Sequence, residues 1–326
     1  MNNYFSDLLS RRIDISSAQR QQGITSHNHA RDILHGQKNH NQHFPWLLQN
    51  DFLSGSFARK TKLKPLDDID VMVVIDGNNY SAYDQRGVYG TAESSGTDGS
   101  PIDQYLDLRG NVRSSVVVSA FARALNQAYP NATQVRADDQ AVNVYFDSYG
   151  LGIDVVPCFK VIPNDPSEHE HYFIPAGNGQ DSWIKTNPKK DAELVGDVQA
   201  LHEGRHKQLI KLLKYWNRES NEDRLNSYHL EMMATIAMSE LQGNASQNIS
   251  STLEYLFNRC GDLVQVNFDD LWGLGDPVCR YLTPAERMAS AQQFVRSAEL
   301  AHTAVRAETV GDTTLATRIW NTIFNE

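Results

Sequence analysis

The chain predicts an α+β protein with a mixed lobe of strands and helices over residues 1–195 and a helical lobe over residues 196–326. Three observations predict it. The apolar run Ile69–Ile75 reads as a buried strand and is headed by two carboxylates, Asp68 and Asp70. The runs Ala141–Phe146 and Leu151–Phe159 are joined by Asp147-Ser148-Tyr149-Gly150, which is hairpin chemistry. From about residue 196 onward, apolar residues recur at helical spacing.

Each element follows from its local pattern. Residues 1–50 are polar and read mostly as helix. Their five histidines (His27, His29, His35, His40, His43) read as scattered and solvated, because no i,i+4 pair sits with a carboxylate in ligand spacing. Gly55-Ser56 reads as a turn that offers bare backbone N–H groups to phosphate oxygens. Residues 77–112 are rich in Gly, Ser, Asn and Asp and read as a long surface loop. Residues 114–128 read as a helix ending before Pro130. The segment 161–195 reads as irregular, with Pro163, Pro166, Pro175 and Pro188 around Trp183. Its Glu168-His169-Glu170-His171 run reads as solvated loop rather than a metal site, since i,i+2 neighbours on a loop fix no ligand geometry. Leu209, Leu212, Leu213 and Trp216 mark one face of a helix; Leu230, Met233, Ala237 and Leu241 mark another that stops at Gly243. A third covers Ile249 to Cys260. Thr283-Pro284-Ala285-Glu286 is a capping box that starts a helix to about residue 307, and a last helix runs over 313–325.

Composition narrows the function. The 326 residues are 40% apolar and 21% charged, ordinary for a soluble globular protein. Thirty basic against forty acidic residues give a net charge of −10. Stable grip on a long duplex normally needs net basicity or a basic stripe, so nucleic-acid binding is not indicated and small anions held through metal fit better. Cys158, Cys260 and Cys279 form no Cys-x-x-Cys pair, which argues against structural zinc and suits a reducing cytoplasm. The first seventeen residues lack a signal-peptide core, and no apolar run is long enough for a membrane span.

The chemistry gathers around three acids. Residues i and i+2 of a strand share a face, so Asp68 and Asp70 project together, about 6–7 Å apart along the backbone. Asp154 stands among Gly152, Ile153, Val155 and Val156, where a charge is costly unless neutralised. The three are candidate catalytic residues and metal ligands for two magnesium ions, with manganese an acceptable substitute. Gly55 would admit phosphate close to the backbone, and Ser56 would add a hydroxyl donor. Taken singly, each acid has a structural reading: Asp67 or Asp68 as a turn cap, Asp154 as an ion-pair partner.

The pattern Gly-Ser, then Asp-x-Asp at the head of a strand, then a lone strand Asp downstream resembles the polymerase-β-like nucleotidyltransferases. Within them GSFARKTKLKPLDDIDV (55–71) is similar to the bacterial cGAS/DncV-like nucleotidyltransferases, which carry Gly-Ser-x-Ala-Arg-Gly-Thr before the acids. YFIPAGNGQDSWIKTNP (172–188), LIKLLKYWNR (209–218), SYHLE (227–231) and RIWNTIF (318–324) extend the resemblance over most of the chain. One departure is Lys60, where the family has glycine.

The resemblance implies more. It implies a polymerase-β-like catalytic lobe with a helical C-terminal lobe completing the nucleotide cleft. Lys214 resembles a lysine that reaches the NTP triphosphate, and Ser227 a serine on the same phosphates; their alternative readings are a solvated helix lysine and a helix N-cap. Trp216 and Glu231 read as structural. The implied activity joins NTPs, ATP among them, into a cyclic di- or trinucleotide messenger for anti-phage signalling, in the cytoplasm, with a HORMA-domain protein as an implied activator. The alternatives are a linear oligoadenylate synthase or RNA-tailing enzyme, and a non-catalytic nucleotide or RNA sensor.

Overall fold

The computed structural model describes residues 1–326 apart from 78–80, 86–88, 94–99, 139, 149, 164–168, 178, 180 and 242–247. In chain order the elements are α1 (Asn2–Leu8), α2 (Ser17–Gly36), β1 (Phe52–Ser54), α3 (Gly55–Arg59), β2 (Asp68–Ile75), β3 (Ser81–Gln85), β4 (Tyr89–Glu93) and α4 (Ser114–Ala128). Next come β5 (Gln134–Asp138), β6 (Ala141–Phe146), β7 (Leu151–Val161), β8 (His171–Pro175) and β9 (Trp183–Thr186). The helices α5 (Pro188–Leu201), α6 (His206–Ser220), α7 (Ser227–Glu240), α8 (Ile249–Leu263), α9 (Pro284–Thr309) and α10 (Thr313–Phe324) complete the chain.

The described strands form one mixed sheet in the order β1-β2-β7-β8-β9-β4-β3, with β5 and β6 branching from β7. β2 and β7 are parallel and in register from Asp68 opposite Gly152 to Ile75 opposite Phe159. β7 is long enough to serve two neighbours on its other edge: β6 along 151–155 and β8 along 159–161. The alternation of side chains then sorts β2 cleanly. Ile69, Val71, Val73 and Ile75 enter a core with Val117, Phe121 and Leu125 of α4, and with Ala30 and Leu34 of α2. Asp68, Asp70, Met72 and Val74 take the other face. There Met72 and Val74 form a small cluster with Cys158 and Tyr172. The acids are thus kept off the main core by strand parity alone.

The helices α5 to α10 share a second core built around Trp216, Phe257, Phe294 and Trp320. Phe5, Leu8, Leu9 and Ile13 belong to this core as well, and the Phe5 ring meets Trp320 edge-on at 5.0 Å. The first thirteen residues therefore pack with the C-terminal helices rather than with the sheet. The capping box at Thr283 and Glu286 is present, and α10 ends at Phe324. No described helix is long and apolar enough to cross a membrane.

Four expectations need correction. Residues 77–112 hold β3 and β4 at the sheet edge and a buried turn with Ile102 and Tyr105. Trp183 Nε1 donates to the Val112 carbonyl at 2.8 Å. An edge strand tolerates Gly and Ser, so its sequence carries little of the usual strand signal. Residues 161–195 hold β8, β9 and the start of α5, so helix begins before residue 196. His171 lies buried in β8 and Glu170 pairs with Lys160 at 2.8 Å, while Glu168 lies outside the described residues. Two of the five early histidines are not solvated: His27 is buried, and His35 Nε2 lies 2.5 Å from the Asp51 carboxylate. Asp51 also accepts from the Val74 backbone, so this pair ties α2 to the sheet. Gly243 lies outside the described residues; α7 itself ends at Glu240.

Candidate active site

The parallel register of β2 and β7 builds the site. Asp70 and Asp154 are direct partners in it, and Asp68 lies two residues before Asp70 on the same face. One carboxylate oxygen from each of Asp68, Asp70 and Asp154 lies within 4.8 Å of the others. Asn143, opposite Asp154 on β6, donates to its Oδ1 at 2.7 Å. Lys62 bridges Asp67, at 2.5 Å, and Asp68.

Three half-buried acids this close repel one another. Burial, then the charges of Asp68 and Asp154, push the Asp70 carboxyl up to about 6. Burial also raises the Asp68 and Asp154 carboxyls. An all-oxygen set of three carboxylates suits a hard divalent cation such as magnesium or manganese, and a bound cation would offset the repulsion. The residues present therefore fit the metal that the sequence suggests.

Gly55 is set against this cluster by the sheet. Ser54 is the β1 partner of Asp70, and the chain turns from it directly into α3. Gly55 has φ +63°. A Cβ there would stand 1.8 Å from Asp70 Oδ2, so the position takes glycine both for its backbone angle and for space. The expected Gly55-Ser56 turn is the first turn of α3, where amides have no partner within the helix. The other end of α3 closes on Lys60 at φ 63°, the left-handed geometry that glycine favours, so the turn is kept despite the lysine.

Lys214 and Ser227 come from the helical lobe. Lys214 on α6 is buried, not solvated; its Nζ donates to the Thr61 carbonyl at 3.2 Å. Ser227 is exposed and is the first residue of α7. The N-cap is Asn226, not Ser227, and it makes no side-chain cap bond. Trp216 is a core residue, as read, with its Nε1 donating to Ser297 Oγ at 2.8 Å.

Sequence reasoning missed several neighbours. Glu231 carries more than a packing role: fully buried, it accepts from Arg59 Nε at 2.6 Å and from Thr61 Oγ1 at 2.9 Å, joining α7 to the end of α3. Asp191 on α5 accepts from Trp272 Nε1 at 2.8 Å and Tyr228 OH at 3.1 Å, bracing the same junction. Lys62 had no local signal, since only the turn after it brings it back to Asp68. Asn143 was recoverable, because the hairpin turn fixes which β6 residue faces Asp154.

No protein-family model matches the chain. A probable cyclic nucleotide synthase of Bacillus cereus (strain VD146) is 26% identical over all of this chain and 96% of its own length. A cyclic AMP-AMP-AMP synthase of an Acinetobacter species is 25% identical over 98% of this chain and 82% of its own length. Over its length the chain is thus similar to proteins named cyclic nucleotide synthases. Two solved structures of Escherichia coli MS115-1 CdnC share the fold. One, with ATP, has a TM-score of 0.70 at 18% identity and covers 99% of this chain and 97% of its own. The other, in complex with HORMA-deltaN, has a TM-score of 0.68 at 19% identity, covering 99% and 96%. The chain carries its three acids on two strands that pair directly.

Proposed function

We propose that the protein condenses ATP, alone or with other NTPs, into a cyclic di- or trinucleotide and releases pyrophosphate at each step. The observation that carries this reading is the convergence of Asp68, Asp70 and Asp154 within 4.8 Å, beside the Gly55 end of α3. Relatives named cyclic AMP-AMP-AMP synthase favour a trinucleotide of adenylate. In each step a ribose hydroxyl oxygen bonds to the α-phosphorus of an NTP, the bond to the pyrophosphate breaks, and the hydroxyl proton leaves.

The sheet and its helices supply the catalytic lobe, and the helices from about residue 196 complete the nucleotide cleft. Asp68, Asp70 and Asp154 would hold magnesium, two ions at full occupancy. Metal bound there would ease deprotonation of the attacking hydroxyl and offset charge on the leaving phosphates. The Gly55 and Ser56 amides and the Ser56 hydroxyl face phosphate oxygens, and Ser227 and Lys214 meet the triphosphate from the helical lobe. The remaining catalytic work is alignment in a partly dry cleft. The CdnC:HORMA-deltaN complex supports a HORMA-domain protein as partner; in this reading it acts as activator, in anti-phage signalling within the cytoplasm.

The test is incubation with each labelled NTP and either magnesium or manganese, then phosphatase treatment and mass spectrometry. A phosphatase-resistant product lacking any terminal phosphate supports ring formation. Phosphatase-sensitive oligomers would make the enzyme a linear synthase, and turnover only with an RNA primer a tailing enzyme. Binding without turnover in every mixture, HORMA protein included, would leave a sensor.

A further inference from the structure

The residues assigned to phosphate come from three elements: Ser56 on α3, Lys214 on α6 and Ser227 on α7. One carboxylate touches or underlies all three. Glu231 lies four residues after Ser227, so it sits one helical turn beneath it on the same face of α7. Its Oε1 accepts from Arg59 Nε at 2.6 Å, at the last residue of α3. Both its oxygens accept from Thr61 Oγ1, at 3.0 and 2.9 Å. The Thr61 backbone N–H in turn donates to the Ser56 carbonyl at 2.9 Å. Lys214 Nζ stands 3.9 Å from Glu231 Oε2 and donates to the Thr61 carbonyl. The side chain of Glu231 has no exposed surface and that of Lys214 has 6%.

We propose that Glu231 is a positioning residue: a single buried carboxylate that keeps the Lys214 ammonium charged and aimed at the nucleotide, in one frame with the Gly55-Ser56 turn. This deepens the reading of Lys214 as a triphosphate contact and rests on it. A buried ammonium tends to shed its proton, since the charged form loses its hydration. Burial pushes Lys214 down, and Glu231 is the leading group that opposes this. The other charged groups facing it are Arg59 from α3 and Lys62 from the loop after it, which push it further down, and Asp68 at the head of β2, which supports it. Arg59 needs the same carboxylate, so Glu231 serves two cations while Thr61 holds its geometry. A neutral Lys214 would offer a triphosphate no charge; a charged but untethered one would have to be ordered anew at each binding event.

The test follows the titration of Lys214 in the whole protein, with lysine 13C-labelled at Cε and the Lys214 signal assigned by its loss in Lys214→Arg. In Glu231→Gln the Lys214 titration is expected to fall by at least about one pH unit. The alkaline limb of kcat/KM for ATP should move down with it, on top of a pH-independent loss from leaving Arg59 without its carboxylate. Glu231→Asp keeps the charge Arg59 requires but draws it back from Lys214, and should move the titration the same way by less. A role in packing alone would lower activity evenly at all pH and leave the titration in place. The proposal is overturned if either folded variant titrates as wild type does, or if neither variant folds. Lys214→Met separates the two readings: full ATP turnover in that variant would remove Lys214 from the phosphates, whatever the NMR titration shows.

Discussion

Gly55→Ala is the sharpest probe of the site, because one methyl group tests two features at once. The alanine Cβ would lie 1.8 Å from Asp70 Oδ2 and 2.7 Å from its Cγ. Comfortable separation for such atoms is about 3.5 Å, so backbone and carboxylate must part by about 1.7 Å. The backbone at φ +63° adds the left-handed cost, about 1–2 kcal/mol for an alanine. A displacement of about 1 Å in a reacting group costs on the order of 10²-fold in rate. Turnover, followed as pyrophosphate released from ATP, is therefore expected to fall at least ~10²-fold, or about 2.7 kcal/mol of transition-state stabilisation. Manganese titration should show weaker binding at the same time. Stability gives an independent check through a double-mutant cycle. In an Asp70→Ala background the clashing oxygen and Cγ are gone, and the nearest remaining atom is the residue-70 Cβ at 3.4 Å. Gly55→Ala should then cost only the backbone term. The reasoning fails if Gly55→Ala turns over ATP within threefold of wild type, or if it destabilises equally in both backgrounds.

Lys60→Gly relieves a left-handed non-glycine residue and should stabilise the fold by about 1 kcal/mol, read as a rise in thermal midpoint, with turnover unchanged. Asp154→Asn keeps the bond to Asn143 in reach but removes one acid of three; it should weaken manganese binding and cut turnover at least ~10²-fold while leaving the thermal midpoint near wild type or above it. Burial pushes His206 down to about 3 and His229 to about 4, so the unfolded chain, near 6.5, takes up protons first. Their stability contribution is nearly whole above about pH 7.5 and declines as pH falls through 6.5, approaching about 1.4 kcal/mol per unit for each group; urea unfolding should show about 3 kcal/mol lost between pH 6.5 and 5 from the pair. Replacing His206 with Gln should roughly halve that loss, and an unchanged slope would mean His206 is not held neutral.

The sequence announced the acids because their chemistry is at odds with their surroundings. Asp154 sits among Ile153, Val155 and Val156, and only a partner across the sheet justifies a charge there. The helices were legible where apolar residues recur over several turns, as at Leu209, Leu212, Leu213 and Trp216. What failed were segments whose structure comes from partners rather than from local pattern. β8 and β9 were hidden among prolines and short apolar runs, and their ladder to β7 supplies what local preference does not. Ile102, Tyr105 and Val112 are buried within a stretch whose composition reads as loop, because a few apolar residues suffice to pin a polar segment onto an existing core. Phe5 and Ile13 joined the C-terminal core, a contact across nearly the whole chain that no window of sequence reports.

The same limit separates the roles of Asp70 and Glu231. Asp70 is recognisable because Asp-x-Asp before an apolar strand is a pattern in one segment. Glu231 stands in an ordinary helix, and its partners Arg59, Thr61 and Lys214 lie far away in sequence. A buried carboxylate facing two cations is costly to assemble and gains nothing as packing that a Leu or Met could not supply. Its place beside Ser227 and Lys214 is better explained by what it holds in place than by stability. That distinction matters for how the two lobes work together. In the proposed reading the acids would fix where a nucleotide's α-phosphorus lies, while Glu231 would tie the helical lobe's cation to the turn that would receive the outer phosphates. A lobe free to drift by an ångström would keep all its residues and still lose alignment. The Arg59–Glu231 bond at 2.6 Å is a direct charged tie across that junction between α3 and α7, so in the proposed reading its loss would loosen the cleft.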